Sequence, residues 1–202
     1  MDACPVIVVT GPIASGKTTV AGIIAGSDGA HLVADKLAHR ALKEERLTSA
    51  LRMEFGDGIF GVDGAVAHSA LSRIVFGDAG AMARLNAIVR PAVTGIIEEE
   101  VGIKCRTAPY IVLDAVLYFE YKFRFKAGMV VLVDAPPEIR LQRLMERDGI
   151  TEEEARRRIA GQGYLESGWA GADVTIDTSA GLEAVRRESA IVRDRFIREY
   201  VL

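Results

Sequence analysis

The chain has 202 residues, 50% hydrophobic and 26% charged, enough for one globular domain with a small appendage. A formal charge of −3 and a pI of about 5.7 argue against a broad nucleic-acid footprint, while leaving room for a local basic pocket. Cys4 and Cys105 are too few and too isolated for a disulfide framework or a zinc site, and no apolar run approaches the roughly 18 residues of a membrane span.

Residues 1–10 lead directly into a strand, with no charged leader and no cleavage signal, so the cytoplasm is the expected location. Val6-Ile7-Val8-Val9 is a β-branched run suited to a strand buried on both faces of a parallel sheet. Gly11 to Thr18 then matches G-x-x-x-x-G-K-[ST], and the apolar stretch from Val20 through Ile24 reads as a helix. Further strands are expected at His31–Asp35, Tyr110–Ala115, Met129–Ala135 and Ala172–Asp177, five in all. Strands alternating with helices predict an α/β fold built on a parallel sheet. Between the second and third strands, residues 36–108 are too long for a simple crossover. Helical patterns cover 35–55, 68–76 and 79–101 there, separated by a glycine-rich turn from Gly56 to Gly64, and Pro91 is expected to bend or restart the last helix. Pro136-Pro137-Glu138 opens another helix that ends at Asp148-Gly149. Thr151 with Glu154 forms a capping box for a short charged helix through Arg158; Gly163–Gly171 reads as a mobile loop, and Gly181–Tyr200 as a terminal amphipathic helix.

The glycine loop carries the chemistry. Gly11 and Gly16 permit backbone angles that let main-chain N–H groups converge on phosphate oxygens, and the following helix N-terminus adds partial positive charge. Lys17 can reach the β- and γ-phosphates of a nucleoside triphosphate, and the Thr18 hydroxyl can sit on Mg²⁺. Three acids stand at strand ends, where parallel α/β sheets bind ligands: Asp35, Asp114 and Asp134. Asp35 is expected to face the γ-phosphate across a neighbouring P-loop, as proton acceptor or Mg²⁺ ligand, or else to cap the helix that follows. Asp114 has the position of a Walker-B acid or of a loop cap, and Asp134 reads as structural. Arg140, Arg143 and Arg147 share one helix face that suits a transferring phosphoryl group, whereas Arg156, Arg157 and Arg158 read as a solvated face paired with glutamates. His31, His39 and His68 lack metal-ligand spacing, which leaves Mg²⁺ brought in with the nucleotide.

Over nearly its whole length the sequence resembles the dephospho-CoA kinase family. The segments that carry the likeness run in order: "TGPIASGKTTV", "ADKLAHRAL", "DGAVAHSALSRIVFGDAGAMARLNAIVRPAV", "IVLDAVLYFE", "VVLVDAPPEIRLQRLMERDGITEEEARRRIAGQ" and "ADVTIDTSAG". The resemblance implies a P-loop kinase fold, with a five-stranded parallel sheet flanked by helices. It divides the single domain into a core (1–35, 109–137 and 163–202), a helical acceptor-binding insertion (36–108) and a lid (138–162). It implies ATP-dependent phosphorylation of the ribose 3′-hydroxyl of dephospho-CoA, with ATP held by Ala14, Ser15, Gly16, Lys17, Thr18 and Thr19 and Mg²⁺ on Thr18. Asp35 aligns with the catalytic base, Arg143 and Arg147 with lid arginines, and His39, Arg90 and Glu120 fall on the acceptor side. ATP and dephospho-CoA are the implied partners, with neither nucleic acid nor membrane, and oligomeric state is left open.

The chain departs from the family pattern at five places. Val33 replaces the first acid of Asp-x-Asp, Arg90 the histidine of His-Pro, Val116 the proline before "LYFE", His68 an arginine and Thr178 an asparagine. These lie around the acceptor site and adenine pocket, and Arg90 offers a positive charge to the acceptor diphosphate. Two rivals therefore stay open: a kinase for a related nucleotide, and a degenerate P-loop kinase that only binds nucleotide.

Overall fold

The computed structural model describes residues 4–75 and 77–202. Among these, five strands form one parallel sheet in the order β2-β3-β1-β4-β5. β1 (Val6–Thr10) is central, and all five of its residues are buried, as a β-branched run covered on both faces requires. It leads through the glycine loop into α1 (Lys17–Ala25), then β2 (Ala30–Val33) and α2 (Ala34–Ala41). α3 (Glu45–Phe55), α4 (His68–Val75) and α5 (Ala79–Lys104) follow, before the chain returns to the sheet as β3 (Ile111–Asp114) and β4 (Met129–Asp134). α6 (Pro137–Asp148), α7 (Glu152–Ala160), the single-turn α8 (Glu166–Trp169), β5 (Val174–Asp177) and α9 (Leu182–Tyr200) complete it.

Two compact units result. The first runs to Ala34 and resumes at Glu100; the second is Asp35–Glu99. The first unit's core lies on the sheet, where Ile7, Val9, Val112, Val131 and Ile176 pack with Ile24 of α1 and Val192 and Phe196 of α9. Tyr110, just before β3, is buried with its ring edge-on to Phe196, and its hydroxyl reaches the Ile24 and Ala25 carbonyls at 3.0 and 2.9 Å. Those carbonyls end α1; the Ala25 carbonyl also accepts from the Gly29 amide at 2.8 Å, so the single phenol proton serves a helix end that lacks intrahelical donors.

Several expectations change. β2 stops at Val33, so Asp35 does not close the strand but sits in the first turn of α2, and β3 lies between β2 and β1. The helix expected over 35–55 is two helices, parted at residues 42–44, where Glu44 turns extended at the start of α3. Pro91 neither ends nor restarts α5, a continuous helix of 26 residues. It forfeits one backbone bond, and burial of Val93, Ile96 and Ile97 in the following turns offsets that loss. Residues 163–171 hold a 3₁₀ turn and α8 rather than a loop. Gly168 and Gly171 lie so close to the Phe119 side chain that a Cβ at either would stand 3.1 Å from it. Thr151 does cap α7, accepting from the Glu154 amide at 3.3 Å. The Cys4 thiol donates to the Ala108 carbonyl at 3.8 Å, and burial first, with Cys105 beside it, pushes that thiol up to about 12.

Candidate active site

The loop between β1 and α1 is shaped for backbone amides. Gly11 has φ 138°, and a Cβ there would stand 2.1 Å from the Val133 carbonyl oxygen, so only glycine lets the loop cross the end of β4. Gly16 (φ 94°) caps α1, and Ala14 adopts φ 61°, a left-handed angle uncommon outside glycine. Strain of this kind is retained where surrounding structure holds it, here the packing of Ile13 and Ala14 against Leu141 and Leu144 of α6 and Ala155 of α7. Gln162 adds a polar tie, its Oε1 accepting from the Ile13 amide at 2.7 Å.

Side chains converge on this loop. Ala14, Gly16, Lys17, Thr18, Thr19, Arg143 and Arg147 line one cavity of ≈ 360 Å³. Lys17 donates from Nζ to the Pro12 carbonyl at 2.8 Å, which folds its ammonium back over the loop. Ser15 is fully buried, and its hydroxyl has no hydrogen-bond partner among the described residues. Thr18 Oγ1 donates to Asp114 Oδ2 at 2.7 Å, and Asp114 is only 5% exposed. That pairing joins the first turn of α1 to the end of β3 and sets two hard oxygen donors side by side, the donor chemistry that Mg²⁺ takes.

The arginines expected on one face of α6 have separate partners. Arg140 donates from Nε to the Ala135 carbonyl at 3.0 Å and pairs with Asp134, which holds the β4–α6 junction. Arg143 donates to both the side-chain and main-chain oxygens of Thr178, each at 2.8 Å. Arg147 forks onto Asp148 at 2.7 and 3.2 Å, and this guanidinium holds the Asp148 carboxyl below its usual range. Arg156 pairs with Glu152 and Glu138, and Arg158 with Asp148 and Glu154, which makes them the solvated face expected.

The acceptor-side residues divide between the units. Asp35, His39 and Arg90 belong to the second. His39 Nδ1 donates to the Asp35 carbonyl at 2.7 Å, one turn back on α2, and its ring lies 6.0 Å from that of His68 at the start of α4. Arg90 is half-buried on α5, and Glu120 lies in the 3₁₀ turn after β3, in the first unit. Among the described residues, no three His, Cys, Asp or Glu side chains converge as a metal-binding group. Two further participants, Gln162 and Thr178, carry no signal of their role in the sequence. Gln162 stood inside a quoted segment, but nothing in its local pattern signals a bond to Ile13. Thr178 appeared only as a departure from a family asparagine.

Comparison with known proteins supplies the remaining observation. A family model described as dephospho-CoA kinase matches residues 5–184. A dephospho-CoA kinase of Latilactobacillus sakei is 34% identical over 181 residues, 89% of each chain. Among solved structures, TT1252 from Thermus thermophilus aligns with a TM-score of 0.77 at 31% identity, covering 94% of this chain and 97% of that one. A dephospho-CoA kinase from Campylobacter jejuni aligns with a TM-score of 0.57 at 25% identity, covering 95% and 96%.

Proposed function

The chain belongs to the dephospho-CoA kinase family and is an ATP-dependent kinase, and from that premise we propose that it phosphorylates the ribose 3′-hydroxyl of dephospho-CoA, yielding coenzyme A and ADP, the last step in making coenzyme A. One observation carries the reading of the site: a single cavity lined by the loop, Lys17, Thr18, Arg143 and Arg147, with the shape and charge for a triphosphate.

In this reading the amides of Ala14 to Thr19 and the α1 N-terminus bind the phosphates. Lys17 compensates the charge of the β- and γ-groups. Thr18 and Asp114 are the residues that would hold Mg²⁺, which would neutralise phosphate charge when bound. Asp35 accepts the proton of the 3′-hydroxyl. The hydroxyl oxygen forms the new bond to the γ-phosphorus, the bond to the bridging oxygen breaks, and that oxygen leaves on ADP. Arg143 and Arg147 stabilise the charge spread over the transferring oxygens. Residues 138–162 serve as the lid that excludes water, a role supported by the packing of Leu141, Leu144 and Ala155 on Ile13 and Ala14. The helical segment 36–108 binds the acceptor, with His39, Arg90 and Glu120 contributing. We place the reaction in the cytoplasm, which suits free thiols at Cys4 and Cys105; no helix among the described residues is long and apolar enough to cross a membrane.

The test is ADP release by the purified protein with ATP and Mg²⁺, comparing dephospho-CoA, AMP and no acceptor. Release with dephospho-CoA alone is expected. Preference for AMP would shift the substrate to a related nucleotide, and bound ATP without acceptor-dependent release would leave a nucleotide-binding module.

A further inference from the structure

Thr178 follows the last residue of β5 and is 4% exposed, yet every polar atom it has is engaged. Its amide donates to the Asp134 carbonyl at 2.9 Å, at the end of β4. Its hydroxyl donates to the Ser15 carbonyl at 2.7 Å, inside the phosphate-binding loop; the Asp134 carbonyl, at 3.3 Å, is the longer alternative. The same hydroxyl oxygen accepts from Arg143 Nη1 at 2.8 Å, while the Thr178 carbonyl accepts from Nη2 at 2.8 Å. A hydroxyl has one proton and two lone pairs, so donating to Ser15 and accepting from Arg143 commits its only proton and one lone pair and fixes its rotation. The neighbouring turn is held as well, since Asp177 Oδ1 accepts from the Ser179 amide at 2.8 Å. The Thr178 methyl rests against the loop, 3.5 Å from where a Cβ on Gly16 would stand.

We propose that Thr178 is a positioning residue for phosphoryl transfer, whose single hydroxyl sets the Arg143 guanidinium and the Ser15 segment of the phosphate loop in register before nucleotide binds. The proposal rests on the reading of Arg143 given above. Arg143 lines both the phosphate cavity and an adjoining cavity of ≈ 250 Å³ that Thr178, Gly181, Leu182 and Val185 also line. A long side chain on α6 would otherwise sample many rotamers. The fork onto Thr178 removes that freedom in advance, and preorganised charge is what makes an arginine effective towards a transferring group. Arg143 is thereby anchored to the end of the sheet through Thr178.

The hydroxyl and the methyl of Thr178 can be separated. Thr178→Val keeps the methyl contact and volume but removes the hydroxyl; Thr178→Ser does the opposite. Thr178→Val is expected to lower kcat by about 10- to 100-fold, the scale of a lost hydrogen bond to a charged group, with the KM for dephospho-CoA unchanged. Thr178→Ser is expected to stay within about threefold of wild type, although it loses more packing. In the Arg143→Ala background, Thr178→Val should add little, because its effect travels through Arg143. Should Thr178→Val not fold, the pair Thr178→Ser and Thr178→Ala differs only in the hydroxyl and answers the same question. Equal kcat within either pair, or full additivity with Arg143→Ala, overturns the proposal. No turnover by the wild-type chain, or wild-type kcat in Arg143→Ala, overturns instead the reading of the site on which it rests.

Discussion

Lys17 shows how much rests on one side chain. Its ammonium is held over the loop by the Pro12 carbonyl at 2.8 Å and faces the cavity shared with Thr18, Arg143 and Arg147. Lys17→Ala is therefore expected to lower kcat by about 10²- to 10³-fold, the usual cost of removing one preorganised donor from developing charge. Steady-state kinetics check this, with a thermal melt to show that the fold is retained; a variant within threefold of wild type would remove Lys17 from the mechanism. Cys4 illustrates a residue whose surroundings set its reactivity. Burial first, and then the neighbouring Cys105, raise its thiol to about 12 from an ordinary 9.0, so the neutral form is the one favoured by folding. The stabilisation this brings is present below pH 9 and is lost as pH rises towards 12. At pH 8 the thiolate fraction is thus far below that of a free cysteine, and iodoacetamide should label Cys4 much more slowly in the folded chain than in urea. Mass spectrometry of the labelled peptides reads this directly, and equal rates would contradict the burial.

At the scale of elements, the glycine loop depends on what crosses beneath it. Gly11 combines a φ of 138° with a Cβ position 2.1 Å from the Val133 carbonyl, and backbone cannot yield as a flexible side chain can. Gly11→Ala is expected to cost several kcal/mol or to reshape the loop, reducing both the melting temperature and ATP binding. Unchanged melting and ATP affinity together would show that β4 can move aside. β1, β3 and β4 were legible because a strand buried on both faces is a continuous apolar run, a signal that needs no partner to interpret. The break between α2 and α3 was not, because no glycine or proline marks residues 42–44 and both helices have the same period. Pro91 misled in the opposite direction: a local helix breaker was overridden by the burial of the turns around it. α8 was hidden among glycines whose reason is the close approach of Phe119, more than 40 residues earlier in the chain.

For the molecule as a whole, the phosphate side of the site was readable because its residues are adjacent in sequence, from Gly11 to Thr19. Pairings such as Thr18 with Asp114, Arg143 with Thr178 and Ile13 with Gln162 join segments 35 to 149 residues apart, and only folding reveals them. These long-range bonds cluster around the phosphate loop and order the donor side of the site, which suits transfer to a positioned alcohol. The most direct test of that account is mass balance in a single reaction: ADP formed against phosphorylated acceptor formed, with dephospho-CoA, ATP and Mg²⁺, and the product's phosphate located by phosphorus NMR. One coenzyme A bearing a 3′-phosphate for each ADP is the predicted result. ADP accumulating without a matching phosphorylated product would contradict it, and would mean that the site hydrolyses ATP rather than delivering its phosphoryl group to the acceptor.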